Sequence, residues 1–132
     1  MTRLVRLVMV AAMVGLGGRT VLAHHSFSAT YLEDQTLTIE GDLVQFLFRN
    51  PHSFVQVLVK EKNGDEVRYA IEWGGSGQLE EQGVTRETLK AGDHVIITGT
   101  PGRNAADHRL RMISLRRPRD GFKWKQKGDG ND

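Results

Sequence analysis

Residues 37–48, LTIEGDLVQFLF, are the stretch of sequence that decides the fold. In the first half, the apolar or small residues occupy alternate positions: Leu37, Ile39, Gly41 and Leu43. In the second half, Val44, Phe46 and Phe48 are also apolar, and these three residues occupy the other phase. Alternation predicts a half-buried β-strand, and a slip of one position beside a glycine indicates a β-bulge or a sharp bend. A long strand bent in this way can serve both sides of a small barrel.

Four shorter strands and one helix are predicted after this stretch. The strands are expected at Ser53 to about Glu61, from Val67 to Trp73, from His94 to Thr100 and from Arg109 to Leu115. Residues 62–65 (KNGD) predict a hairpin with a type I′ turn, since Asn-Gly accepts positive φ values. A short helix is predicted over residues 78–82, ending at Gly83.

The element order β-β-β-α-β-β is typical of an all-β fold, a small five-stranded Greek-key barrel of the OB type with one short helix. An open α+β sheet is the alternative architecture. We expect a barrel domain over residues 24–115, a signal peptide over residues 1–23 and a basic, flexible C-terminal tail over residues 116–132.

The signal peptide is predicted from its three regions. Arg3 and Arg6 precede an apolar run at residues 7–16, and Val21 and Ala23 stand where a signal peptidase accepts small residues. This run is shorter than the roughly 20 residues that a transmembrane helix needs. We therefore expect cleavage after Ala23 and a periplasmic or secreted protein.

Composition excludes several classes of site. The chain has no cysteine, which rules out disulfides, thiol catalysis and thiolate metal ligands. Residues 24–108 carry 7 basic and 13 acidic side chains, whereas residues 109–132 carry 8 basic and 3 acidic ones. No serine stands in a nucleophile elbow, and Glu40 and Glu72 would act as catalytic carboxylates only if a cleft joined them. We expect no enzyme, and no nucleic-acid partner outside the cytoplasm.

Several short motifs follow one another in a recognisable order. They are HHSF at residues 24–27, NPH at 50–52, the Gly74-to-Gly83 segment, LxxGDxV at 89–95 and Arg103-Asn104. In this order the chain resembles a family of small exported bacterial proteins of unknown function, and the resemblance extends to about Leu115. It implies an exported, β-barrel-like domain, and it implies no catalytic residues.

Three histidines are the candidate metal ligands: His24, His25 and His52. After cleavage, His24 would carry a free amine and an imidazole on one residue, and together these groups can chelate a metal. Nitrogen ligands suit Cu(II) and, to a lesser degree, Ni(II) or Zn(II), so copper is the expected ion. The carboxylates considered for orienting an imidazole are Glu33, Asp34 and Glu72. The alternative is that the first two histidines belong to an unstructured terminus and His52 to a turn.

A partner surface is the competing hypothesis. Phe54 is out of phase with the valines that follow it and is the candidate exposed aromatic contact. Arg116, Arg117 and Arg119 begin the basic tail, which would dock on a periplasmic protein or an anionic envelope surface unless it folds back on the barrel or is solvated. The sequence therefore predicts a non-enzymatic binding domain, with or without a metal.

Overall fold

A computed structural model describes residues 27–128 of the chain. Residues 27–30 are helical, and a separate compact unit begins at Tyr31. The strands are β1 (Leu37–Leu47), β2 (Phe54–Lys60), β3 (Glu66–Glu72), β4 (His94–Pro101), β5 (Arg109–Arg117) and β6 (Phe122–Lys125). Helix α1 spans Ser76–Glu81, and a 3-10 turn spans Ala105–Asp107. The predicted signal peptide, its cleavage site and the first two histidines lie outside the described residues.

The strands form a closed barrel with one extra strand. Their order in the sheet is β3-β2-β1-β4-β5-β6, and each neighbouring pair is antiparallel. A parallel pairing of Ala70–Glu72 with Arg109–Arg111 joins β3 to β5 and closes the ring of five strands. This arrangement confirms the predicted OB-like Greek-key barrel. Across residues 27–128, no helix has the length and apolar character needed to cross a bilayer.

The bend in β1 accounts for the closure. Residues Leu37–Asp42 pair with β4, whereas Asp42–Leu47 pair with β2, and the register shifts between Leu43 and Gln45. At Gly41, an added Cβ atom would lie 2.2 Å from the carbonyl oxygen of Leu58 on β2. Only glycine permits this close approach of two backbones. The register shift confirms the bulge that the slip of phase predicted near this glycine.

The core fills the barrel interior and the space beneath α1. Its buried side chains are Ile39, Leu43, Phe48, Val55, Val57, Ile71, Trp73, Leu79, Val84, Leu89, Val95, Ile97, Leu110, Met112 and Leu115. Leu79 is the buried residue of α1, and the helix stops before Gly83, whose φ of 80° matches the predicted C-terminal stop.

The β2–β3 hairpin differs from the prediction in its turn type. Gly64 has a φ of 91°, and His108 is the only non-glycine residue of the described chain with a positive φ. Asn63 therefore does not adopt the left-handed conformation that a type I′ turn requires. Instead, the Gly64 N–H donates to the Glu61 carbonyl at 2.9 Å, so the glycine alone supplies the positive φ.

Residues 116–125, which the sequence analysis assigned to a C-terminal tail, extend the sheet instead. Strand β5 continues to Arg117, and β6 pairs with it from Arg117↔Phe122 to Ser114↔Lys125. Phe122 and Trp124 pack against the core, and the Trp124 ring lies 5.0 Å from that of Trp73. Two apolar residues at alternate positions thus add a sixth strand, because the free edge of β5 offers backbone partners.

Candidate functional site

His52 is positioned by the turn between β1 and β2. The Asn50–Pro51 peptide bond is cis, and the turn packs against the glycine-rich segment after β3. A Cβ atom at Gly75 would lie 2.7 Å from both Asn50 Oδ1 and the Pro51 carbonyl oxygen. Ser53 is fully buried, and its backbone hydrogen-bonds to the two residues that follow β3. The NPH motif and the glycine-rich segment therefore pack against each other.

Glu72 is the centre of a polar cluster next to this turn. The residue is 8% exposed, and its Oε2 accepts hydrogen bonds from the Tyr31 hydroxyl and from Arg109 Nη2, the latter at 2.9 Å. Arg109 Nε also donates to the Tyr31 hydroxyl oxygen at 2.8 Å. The other carboxylate oxygen, Oε1, lies 3.3 Å from His52 Nδ1. We call these four residues the Glu72 cluster.

The barrel closure assembles the Glu72 cluster. Glu72 ends β3 and Arg109 begins β5, and the parallel pairing of these strands brings the two residues to the same end of the barrel. Tyr31 reaches this end through a backbone bridge to Gly102, which follows β4. Burial raises the pKa of the Tyr31 hydroxyl far above its usual value, and its hydrogen bond to the Glu72 carboxylate raises the pKa further. Tyr31 therefore remains a neutral hydrogen-bond donor at physiological pH.

The arrangement around His52 is suited to metal ligation. A carboxylate beside Nδ1 favours the tautomer with the proton on Nδ1, which leaves the lone pair on Nε2. The His52 side chain is 44% exposed, and its Nε2 atom has no partner among residues 27–128. Within that range, no three histidine or carboxylate side chains are grouped so as to hold a metal ion. His52 can therefore supply one ligand through its Nε2 atom.

The other carboxylates considered from the sequence lie elsewhere. Glu33 and Asp34 are exposed, and only Glu72 lies beside His52. Glu40 contacts a different histidine, with its Oε1 2.9 Å from His94 Nε2. Asp42 Oδ1 lies 2.8 Å from the other ring nitrogen of His94, so this exposed imidazole has both nitrogens engaged.

Phe54 is half-buried and is not a free aromatic surface. The guanidinium of Arg49 lies 5.5 Å from the centre of its ring, and that of Arg109 lies 5.7 Å from it. Cation–π contacts of this length are favourable. Phe54 therefore packs against the arginine that holds Glu72, at the same end of the barrel as His52.

The three arginines predicted as a partner surface have different environments. Arg117 has an 11% exposed side chain, with Nη1 2.7 Å from the buried Asp93 and Nη2 2.8 Å from Asp120. Arg119 is 72% exposed and lies 3.3 Å from Asp93. Arg116 is exposed, and within the described chain its side chain makes no hydrogen bond or ion pair. Arg117 is thus part of a structural ion pair, and Arg116 is the freest of the three.

Comparisons with known proteins place the chain in a family and assign no activity. The profile of the Family of unknown function (DUF6152) matches residues 12–111. No curated protein matches the chain. Among solved structures, the mitochondrial single-stranded DNA binding protein Rim1 from S. cerevisiae is similar, with 14% identity and a TM-score of 0.47. The similarity covers 70% of this chain and 96% of that one.

Proposed function

We propose that this chain, which belongs to the Family of unknown function (DUF6152), is an exported, non-enzymatic binding domain that holds a copper-type metal ion. The observation that carries the proposal is the pairing of His52 with Glu72. A carboxylate that is itself held by hydrogen bonds orients the imidazole, and Nε2 is free to bind a metal. Metal-ligating histidines commonly have this type of outer partner, which fixes the tautomer and raises the basicity of the ligating nitrogen.

The remaining ligands in this proposal are His24 and His25, which lie outside the described residues. If the leader is removed after Ala23, His24 offers its amine and its imidazole, and His25 offers a second imidazole. Together with His52, these groups make a nitrogen-rich set, which favours Cu(II) over harder ions such as Mg²⁺ or Ca²⁺.

A binding role without catalysis is supported by the state of the carboxylates. Glu72 has one oxygen occupied by Tyr31 and Arg109, and the other beside His52. Its arrangement is that of a group that positions another side chain.

The proposal is tested by Cu(II) titration followed by calorimetry and electron paramagnetic resonance. The protein beginning at His24 is compared with H52A, with a form that has one extra residue before His24, and with H94A as a matched histidine control. We expect tight one-to-one binding with nitrogen ligation, which is weakened by H52A and by the extension and unchanged by H94A. Equal binding by the native protein and H52A would exclude His52 as a ligand and remove the basis of the proposal.

A further inference from the structure

The β5–β6 ribbon carries three cations on one face. Arg116 on β5 is directly opposite Lys123 on β6, and Lys125 lies two residues further along β6. Opposed residues of an antiparallel pair project to the same side of the sheet, and so do residues two apart on one strand. The core-packed Phe122 and Trp124 occupy the alternate positions of β6, so the three cations face away from the core. We call Arg116, Lys123 and Lys125 the basic face.

The cations of the basic face differ from the neighbouring arginines in their contacts. Arg117 and Arg119, which are close in sequence, reach carboxylates. By contrast, no ion pair within residues 27–128 involves a member of the basic face, and all three side chains are exposed. Like charges directly opposite each other on neighbouring strands destabilise a sheet. The ribbon therefore has an electrostatic cost that an external anion would relieve.

Protection of the sheet edge explains only part of this arrangement. Lysines on an edge strand discourage pairing with a second chain, and Lys123 and Lys125 lie on the outermost strand of the sheet. Arg116 lies on β5, which is paired with β4 and β6, so Arg116 does not protect an edge strand from pairing with a second chain. Its position opposite Lys123 requires a different explanation.

We propose that the basic face binds the surface of an anionic phospholipid membrane. Within residues 27–128, Leu37 at the start of β1 is the one exposed large hydrophobic residue, so no such residue accompanies the basic face. Protein interfaces are enriched in aromatic residues and depleted in lysine, which makes this face a poor fit to a protein partner. A lipid headgroup surface, in contrast, is recognised by summed charge.

The distribution of charge along the chain supports an oriented contact. Residues 109–132 have an excess of five positive charges, whereas residues 24–108 have an excess of six negative charges. A negative membrane attracts the first region and repels the second. The protein would therefore bind with the basic face towards the headgroups.

The test measures partition onto vesicles of phosphatidylcholine alone and of phosphatidylcholine mixed with phosphatidylglycerol. The protein is expressed with its whole sequence, purified and compared with the triple variant R116Q/K123Q/K125Q. The control, K60Q/K62Q/K90Q, removes the same charge from exposed lysines elsewhere. Circular dichroism verifies folding, and we expect the triple variant to be at least as stable as the native protein because it loses a like-charge pair.

We expect the native protein to bind the mixed vesicles in a salt-sensitive way and to bind the neutral ones much less. The triple variant should bind the mixed vesicles on the order of a hundredfold more weakly, and the control should lose far less affinity. Equal binding by the native protein and the triple variant would overturn the proposal, as would an equal loss in the control. Binding to polyglutamate that is as tight as vesicle binding would assign the face to an acidic polypeptide instead.

Discussion

Replacing Arg117 with alanine should destabilise the barrel far more than the same change at its neighbour Arg116. Arg117 contacts the carboxylate of Asp93, which is 5% exposed, with its Nη1 at 2.7 Å. Removing one partner of a buried ion pair costs about 3–5 kcal/mol, because the other charge is left buried and unpaired. Asp93 would keep the Lys90 N–H at 3.0 Å and Arg119 at 3.3 Å, so we expect a loss near the lower limit, about 3 kcal/mol.

The measurement is thermal unfolding of R117A, R116A and the native protein by circular dichroism at neutral pH. For a domain of this size, 1 kcal/mol corresponds to roughly 4–8 °C in Tm, so R117A should unfold about 12–24 °C below the native protein. R116A removes an exposed, unpaired side chain and should change the free energy of unfolding by about 0.5 kcal/mol or less. Similar Tm values for the two variants would refute the assignment of Arg117 to a structural ion pair.

Acid provides a second check on the same pair. Burial opposes ionisation of Asp93, but hydrogen bonds from the Lys90 N–H and Arg117, together with the charges of Arg117 and Arg119, hold its pKa below the usual value. A carboxyl whose pKa is lower in the folded state contributes stability above its unfolded pKa, near about 4, and loses it as pH falls through the folded pKa. The difference in stability between the native protein and R117A should therefore shrink below about pH 4. A difference that is unchanged in acid would contradict this account.

Three further predictions follow from other contacts. G41A places a Cβ atom 2.2 Å from the backbone of β2 and should lower the free energy of unfolding in urea by at least about 1–3 kcal/mol; a neutral effect would contradict the close approach. Hydrogen bonds to Glu40 and to Asp42 raise the pKa of His94, so the midpoint of its NMR titration should lie above about 6.5 and should fall in E40Q. The small stability that these contacts of His94 add should be present at low pH and should decline as the pH rises through that midpoint. E72Q should weaken Cu(II) binding about 10–100-fold in calorimetry, and an unchanged affinity would mean that Glu72 does not act through His52.

The sequence was sufficient to predict the barrel because the bend in β1, which allows the sheet to close, has a signal within one short stretch of sequence. The slip of phase in residues 37–48 marks the bulge, and the strand pattern after it fixes the order of the elements. Strand β6 was not predicted, since two apolar residues at alternate positions are too short a pattern to separate from a tail. They form a strand because the edge of β5 is available and Trp73 offers a surface for Trp124.

The candidate site was less accessible to sequence reasoning. His52 and Glu72 were predicted as a ligand and an orienting carboxylate, and the structure brings them together. Tyr31 was not singled out for this role because it lies in a stretch without periodicity, and Arg109 reads as the first residue of an ordinary strand. Arg117 could not be told apart from its neighbour, because its buried partner lies 24 positions upstream and only the folded barrel joins them.

The span of the Glu72 cluster along the chain has a consequence for how the protein matures. Its hydrogen bonds join residues that are 37, 41 and 78 positions apart. Contacts at such separations form late, since the chain must lose the entropy of long loops before they add stability. A nascent chain that ends before Arg109 holds three of the four residues and yet has no assembled cluster. If His52 binds a ligand, full affinity would therefore require a chain that includes β5 and a barrel that has closed.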